Sequence, residues 1–173
     1  MLKLSLLYIT YKEQHQANRI SQFEQRFYIQ CKNIKEHIDL HKIDIVQTYN
    51  RLTRHLTESP SKNIENSDII LAFSYYYEDL IKSNSDNEKK CNLDFICDYF
   101  LCLIKTIDRQ DVLSKEIKKN YIYEISRLLT LEFSTILIFY ICHTESVENW
   151  RLIRTYDIYL NVSSMKIKVY LIT

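Results

Sequence analysis

The stretch that decides the fold runs from Lys119 to Val162 and reads KNYIYEISRLLTLEFSTILIFYICHTESVENWRLIRTYDIYLNV. Its first part predicts one long, mostly apolar helix, followed by a short break and a second, amphipathic helix. Apolar residues recur at Tyr121, Ile125, Leu128/Leu129, Ile136 and Phe139/Tyr140, the three- and four-residue steps of one helical face. Glu132 falls on the same stripe. A carboxylate there is costly unless paired or protonated, so Glu132 is a candidate for a buried polar network. The plainer alternatives are an ion pair with Arg151 or Arg154 of the following helix, or exposure. The ten residues Phe133 to Cys142 are apolar. A membrane span needs about 20, so a buried core helix is expected. Lys115 to Cys142 then forms the central helix of an all-α domain.

Composition supports that class. The chain has 173 residues, no glycine and one proline, Pro60. Without glycine there is no Walker loop, dinucleotide fingerprint or nucleophile elbow. The 23 basic and 22 acidic residues leave a net charge of +1, which points to neither nucleic acid nor an anionic membrane. The five cysteines, Cys31, Cys91, Cys97, Cys102 and Cys142, have neither the spacing of a disulfide framework nor that of a zinc site. They read as thiols in a reducing, cytosolic compartment, with no metal and no cofactor.

Upstream, MLKLSLLYI (1–9) is apolar but short. Residues 11 to 56 predict one or two helices with an apolar face at Ile20, Phe23, Phe27, Cys31, Ile34, Ile38, Ile45, Tyr49, Leu52 and Leu56. His37 and His41 lie one turn apart, with Asp44 beyond, and resemble part of a metal site without its remaining ligands. Arg51, Arg54 and His55 miss the Arg-x4–6-His spacing of helical RNases. Residues 58–67 and 83–92 are polar loops. Between them Ser67 is a candidate N-cap for a helix over 68–82 that carries Tyr75-Tyr76-Tyr77. A further helix is expected over 93–108. Lys166 to Ile172 alternates polar and apolar residues, as a strand or tail would.

Four places, Phe23–Tyr28, Ile104–Asp108, Arg127 with Phe139-Tyr140, and Leu152–Val162, together resemble the phage abortive infection protein family described as AbiC-like. Phe23-Glu24-Gln25-Arg26-Phe27-Tyr28 is similar to its F-E-x-x-F-F segment. Ile104-Lys105-Thr106-Ile107-Asp108 is similar to I-K-F-I-D. Arg127 and Phe139-Tyr140 align with the Arg and Phe-Tyr of its central helix. Leu152-Ile153, Tyr156, Ile158-Tyr159 and Asn161-Val162 match its closing L-I-x-x-Y-x-L-F-x-N-L. The chain departs from the family at Leu128–Leu131 and at Ile96-Cys97-Asp98. The resemblance implies host defence by arrest or death of the infected cell. It also implies a helical sensing or interaction domain rather than a conventional hydrolase, with a protein partner, a second copy or a phage component as the binding partner.

Arg127, Phe139, Tyr140, Leu152, Tyr156 and Asn161 are the positions it singles out. Longer relatives begin with a membrane hairpin, so residues 1–22 are expected to be the remnant of a membrane-proximal segment, at the inner face of the cell membrane. The expectation is therefore a single all-α domain of five or six helices, residues 1–173. Two other classes stay open. One is a helical adaptor without enzymatic activity. The other is an RNA-acting toxin in which His37, His41, Glu132 and Arg127 converge.

Overall fold

The computed structural model describes residues 2–58, 74, 75, 77, 78, 93–144 and 146–158. Six helices are defined among them: α1 (Leu2–Leu40), α2 (Lys42–Glu58), α3 (Leu93–Asp108), α4 (Lys115–Ser126), α5 (Leu131–Thr144) and α6 (Val147–Thr155). Residues 74, 75, 77 and 78 are also helical, and no described residue lies in a strand. The described fold is all-α, the class that the composition favours.

The apolar stripe of the N-terminal half is placed as its spacing dictates. Phe23, Phe27, Ile34, Ile38, Ile45 and Leu52 are buried, with Ile20, Cys31 and Tyr49 packed at their edge. The stripe continues across the α1–α2 corner because Ile38 and Ile45 are two turns apart on either side of it. The corner keeps its backbone bonds, His41 N–H to His37 C=O and Ile45 N–H to His41 C=O. By contrast, every side chain from Ser5 to Arg19 is exposed, so the first described turns of α1 stand clear of the core.

The expected central helix is two helices. The chain leaves α4 at Arg127 and restarts at Leu131, and α4 and α5 are bent by 114°. Both ends are chemically specified. The N–H groups of Leu128 and Leu129 return to Ile125 and Ser126 C=O in tight terminal turns. Thr130 then caps α5, its Oγ1 accepting from Phe133 N–H at 3.2 Å. Glu132 therefore occupies the first turn of α5, half-buried, where a carboxylate complements the positive end of the helix. Its position on an uninterrupted buried stripe is corrected by this break.

Helix α5 is the middle of the fold. All ten residues from Phe133 to Cys142 are buried, so it is enclosed on every side as an all-round apolar helix must be. It lies along α2 and against α3, while α3 also meets α1, α4 and α6. Leu93, Ile96, Cys97, Phe100, Leu101, Leu103, Ile104 and Ile107 supply the buried side of α3. Among the described residues no single helix is long and apolar enough to cross a membrane.

Helices α4 and α6 begin at serine caps. Ser114 Oγ accepts from Ile117 N–H and Ser146 Oγ from Asn149 N–H, each at 3.3 Å. The second amphipathic helix is shorter than its pattern implied. It ends at Thr155, with Tyr156 as its C-cap and Asp157 at φ 54°. A helix commonly ends on one left-handed residue, usually glycine. This chain has no glycine, and Asp tolerates that conformation better than most side chains. Ile158 then returns to the core.

Candidate functional site

The ends of α3, α4 and α6 come together around one carboxylate. Asp108, the last residue of α3, accepts from Tyr156 Oη at 2.6 Å and from Arg151 Nη2 at 2.8 Å. Its own carbonyl accepts from Lys118 Nζ of α4 at 2.6 Å. One residue, Asp108, thus ties three helix ends. Burial disfavours ionisation of Asp108. The hydrogen bonds from Arg151 and Tyr156, with the charges of Arg151 and Lys118, outweigh it and hold the carboxyl below its ordinary value. The phenol of Tyr156 is pushed up to about 12 by burial and by donating to that carboxylate. Beside this junction Glu148 receives Arg109 at 2.7 Å and Lys105 at 3.6 Å, a second link from α3 to α6.

An open cleft of about 590 Å³ lies next to the junction, lined by Lys119, Asn120, Tyr123, Ser126, Arg127, Leu129, Tyr156 and Asp157. Lys119, Tyr123 and Arg127 are spaced i, i+4, i+8 and share one face of α4 and its C-cap. The ring of Tyr156, pinned at its hydroxyl by Asp108, belongs to the α6 side. A smaller depression of about 300 Å³ runs between α1 and the end of α3, with Arg19, Gln22, Arg26, Gln30 and Gln110 among its walls.

The resembling segments are structurally coupled. Tyr156 meets Asp108 of the Ile104–Asp108 segment, and Arg127 lines the cleft that Tyr156 also lines. Tyr140 donates to Asp98 of α3 at 2.5 Å and sits edge-on to Tyr77, which donates to Asp94 at 2.6 Å. In the early segment, Phe23 and Phe27 pack on Tyr121, whose hydroxyl donates to Glu24 at 2.7 Å. Phe139 and Leu152 are fully buried core residues. Asn161, with Tyr159 and Val162, lies outside the described residues. So do Pro60, Ser67, Tyr76, Cys91, the two polar loops except Glu58, which the structure places at the end of α2, most of the 68–82 helix and Lys166–Ile172.

The speculative polar set does not assemble. His37 packs edge-on against Phe95 and Tyr99 of α3, at 5.7 and 6.4 Å between ring centroids. His41 sits at the α1–α2 corner with Nδ1 3.6 Å from Asp44. None of His37, His41 and Glu132 lines the cleft that holds Arg127. Among the described residues no three His, Cys, Asp or Glu side chains are grouped to hold a metal. Cys97 and Cys142 are buried, whereas Cys102 is exposed.

Pattern alone does not single out Lys119, Tyr123 or Asp157. The four-residue spacing of Lys119, Tyr123 and Arg127 was the available signal, but the break at Arg127 that opens the cleft was not foreseen. Compared with known proteins, the chain matches no family model, no curated relative and no solved structure.

Proposed function

We propose that this chain is a phage-defence protein of the abortive-infection type, acting as a helical recognition domain through the cleft between α4 and the end of α6. The Tyr156–Asp108 hydrogen bond is the observation that carries the reading. Two segments that resemble the family are joined by it, and a third, through Arg127, borders the same cleft. Two residues that the resemblance picks out separately, Arg127 and Tyr156, line one concave surface of mixed polar and aromatic character. Such surfaces suit binding of a ligand or partner.

The test is a phage challenge of cells carrying the gene at its native level of expression. Survival of the culture at low multiplicity, with collapse at high multiplicity, is expected from abortive defence. Equal lysis of carrying and non-carrying cells across a phage panel contradicts it.

A second reading, a helical adaptor that joins a protein partner or a second copy, is favoured by the start of α1. Leu6, Leu7, Tyr8, Ile9 and Tyr11 are all more than half exposed. Four consecutive apolar residues cover the whole circumference of a helix, and such patches on soluble domains commonly mark interaction sites.

A further inference from the structure

We propose that the α4–α6 cleft binds a nucleoside phosphate, either as a free nucleotide or as an unpaired nucleotide of a single strand. The inference rests on the recognition-cleft reading above and names the ligand that the cleft would take.

The cleft carries each kind of group that a nucleotide needs, in a workable order. Arg127 is at one end of the α4 face, its side chain 65% exposed. A guanidinium takes a phosphate through two parallel hydrogen bonds. Glu124 lies 3.8 Å from it, but that pair is exposed on both sides and spaced i, i+3, so a phosphate displaces it at little cost. One turn back, Tyr123 is 65% exposed and presents a ring on which a base can stack. A further turn back come Lys119 and Asn120, a cation and an amide that can reach the base edge. From Lys119 to Arg127 the rise is about 12 Å, which leaves room for a planar ring between the two cations.

The opposite side supplies Tyr156 and Asp157. Tyr156 is held in place by its bond to Asp108, so that wall is fixed before any ligand arrives. Asp157, the left-handed residue that follows α6 and its cap Tyr156, lines the cleft and brings a carboxylate to it. A carboxylate in that setting repels a phosphate but accepts from ribose hydroxyls, the role an acidic residue plays in dinucleotide folds. An acidic peptide would satisfy the two cations and leave Tyr123 unused and Asp157 opposed. A nucleotide uses all of them. The volume, about 590 Å³, lies within the range of small-ligand sites.

The test is calorimetric titration of the full chain with AMP, GMP, CMP, UMP, ribose 5-phosphate, inorganic phosphate and a single-stranded RNA hexamer. At least one nucleotide or the hexamer is expected to bind, with ribose 5-phosphate weaker by about tenfold or more because it has no base to stack. The hexamer binding more tightly than every monophosphate identifies the strand as the source; the reverse identifies the free nucleotide. Tyr123→Ala and Arg127→Gln are each expected to weaken binding about tenfold. Lys32→Gln, which removes an exposed cation on α1, leaves it unchanged. Both cleft variants alter exposed side chains, and their thermal melts confirm folding.

Absence of binding by every nucleotide and by the hexamer up to about 1 mM overturns the inference, as does binding that both variants leave intact. No cells enter this assay. Protection from phage without nucleotide binding sinks the inference alone, and binding without protection sinks the defence reading alone.

Discussion

The phenol of Tyr156 donates to Asp108 at 2.6 Å across 48 residues of chain, and this bond sets the end of α6 against the end of α3. Arg151, one turn before Tyr156, holds the other carboxylate oxygen. A single acidic side chain is thereby shared between two donors of one short helix. Two donors on one acceptor fix rotation as well as distance, so the α6 wall of the cleft is set by Asp108.

Removing that hydroxyl is expected to weaken the fold modestly. Tyr156→Phe keeps the ring and loses a hydrogen bond to a charged group, at about 1–2 kcal/mol. Asp108→Asn is expected to cost at least as much, since Arg151 loses its partner too. In a urea-unfolding cycle the double variant should fall short of the sum of the two singles. Strict additivity would show that the two groups do not act on one another.

Acid should loosen the same junction. The carboxyl of Asp108 titrates below its ordinary value in the folded chain. Its stabilisation is therefore complete above about pH 4 and fades as pH falls through the folded value. Glu148, lowered by its hydrogen bond from Arg109 and by Lys105, adds in the same direction. Melting temperatures followed from pH 6 downward should drop, and Asp108→Asn should flatten that drop. An unchanged slope in the variant would place the acid sensitivity elsewhere.

At the alkaline end four tyrosines should ionise late. Tyr156 is pushed up to about 12 by burial and its carboxylate partner, and the same causes raise Tyr77, Tyr121 and Tyr140 further. Their neutral form is favoured by folding, so that stabilisation is intact below about pH 10 and lost as pH rises toward the folded values. Ultraviolet titration should show these four phenols ionising late, as the chain unfolds. Four clamped phenols titrating freely in the folded protein would contradict the hydrogen bonds to Asp94, Glu24, Asp98 and Asp108.

Thiol labelling offers an independent check on the packing. Cys102 is exposed and should react at once with an aromatic disulfide reagent. Cys142, buried and pushed up to about 12 by desolvation, should react only on unfolding. Cys31, half-buried and raised to about 11 by desolvation and by Glu124, should fall between them. Rapid labelling of Cys142 in the native chain would mean that α5 is not enclosed.

The exposed start of α1 makes its own prediction. Leu6→Gln with Ile9→Gln should leave the melting temperature nearly unchanged, within about 0.5 kcal/mol of stability, because both side chains are already in solvent. The same pair should lower self-association or partner capture in sedimentation. A large loss of stability would show that these residues are packed in the folded chain.

Much of the fold was legible because periodicity reports burial directly. The three- and four-step stripe from Phe23 to Leu52 is the stripe that meets the core, and the run Phe133–Cys142 is the enclosed helix. The break after Arg127 was missed because the apolar stripe continues through it in register. The overlooked signal was local: Thr130 followed by Glu132 is a cap and a first-turn acid, the ordinary start of a helix. The same break takes Glu132 off the stripe and into the first turn of α5, half-buried.

The candidate site was only partly legible. Asp108 and Tyr156 could be picked out separately, but a contact across 48 residues has no local signature. His37 and His41, one turn apart, suggested a shared site. His37 instead packs on the aromatic edge of α3, while His41 lies beside Asp44.

The α4–α6 cleft is the proposed working surface of a phage-defence protein. Its most direct test is plating efficiency of a phage panel on cells carrying the wild-type chain or Tyr123→Ala/Arg127→Gln, with equal protein levels and matching melts. Protection by the wild type, lost in the folded double variant, is the predicted result. Full protection by the double variant, or none by the wild type against any phage, would contradict it.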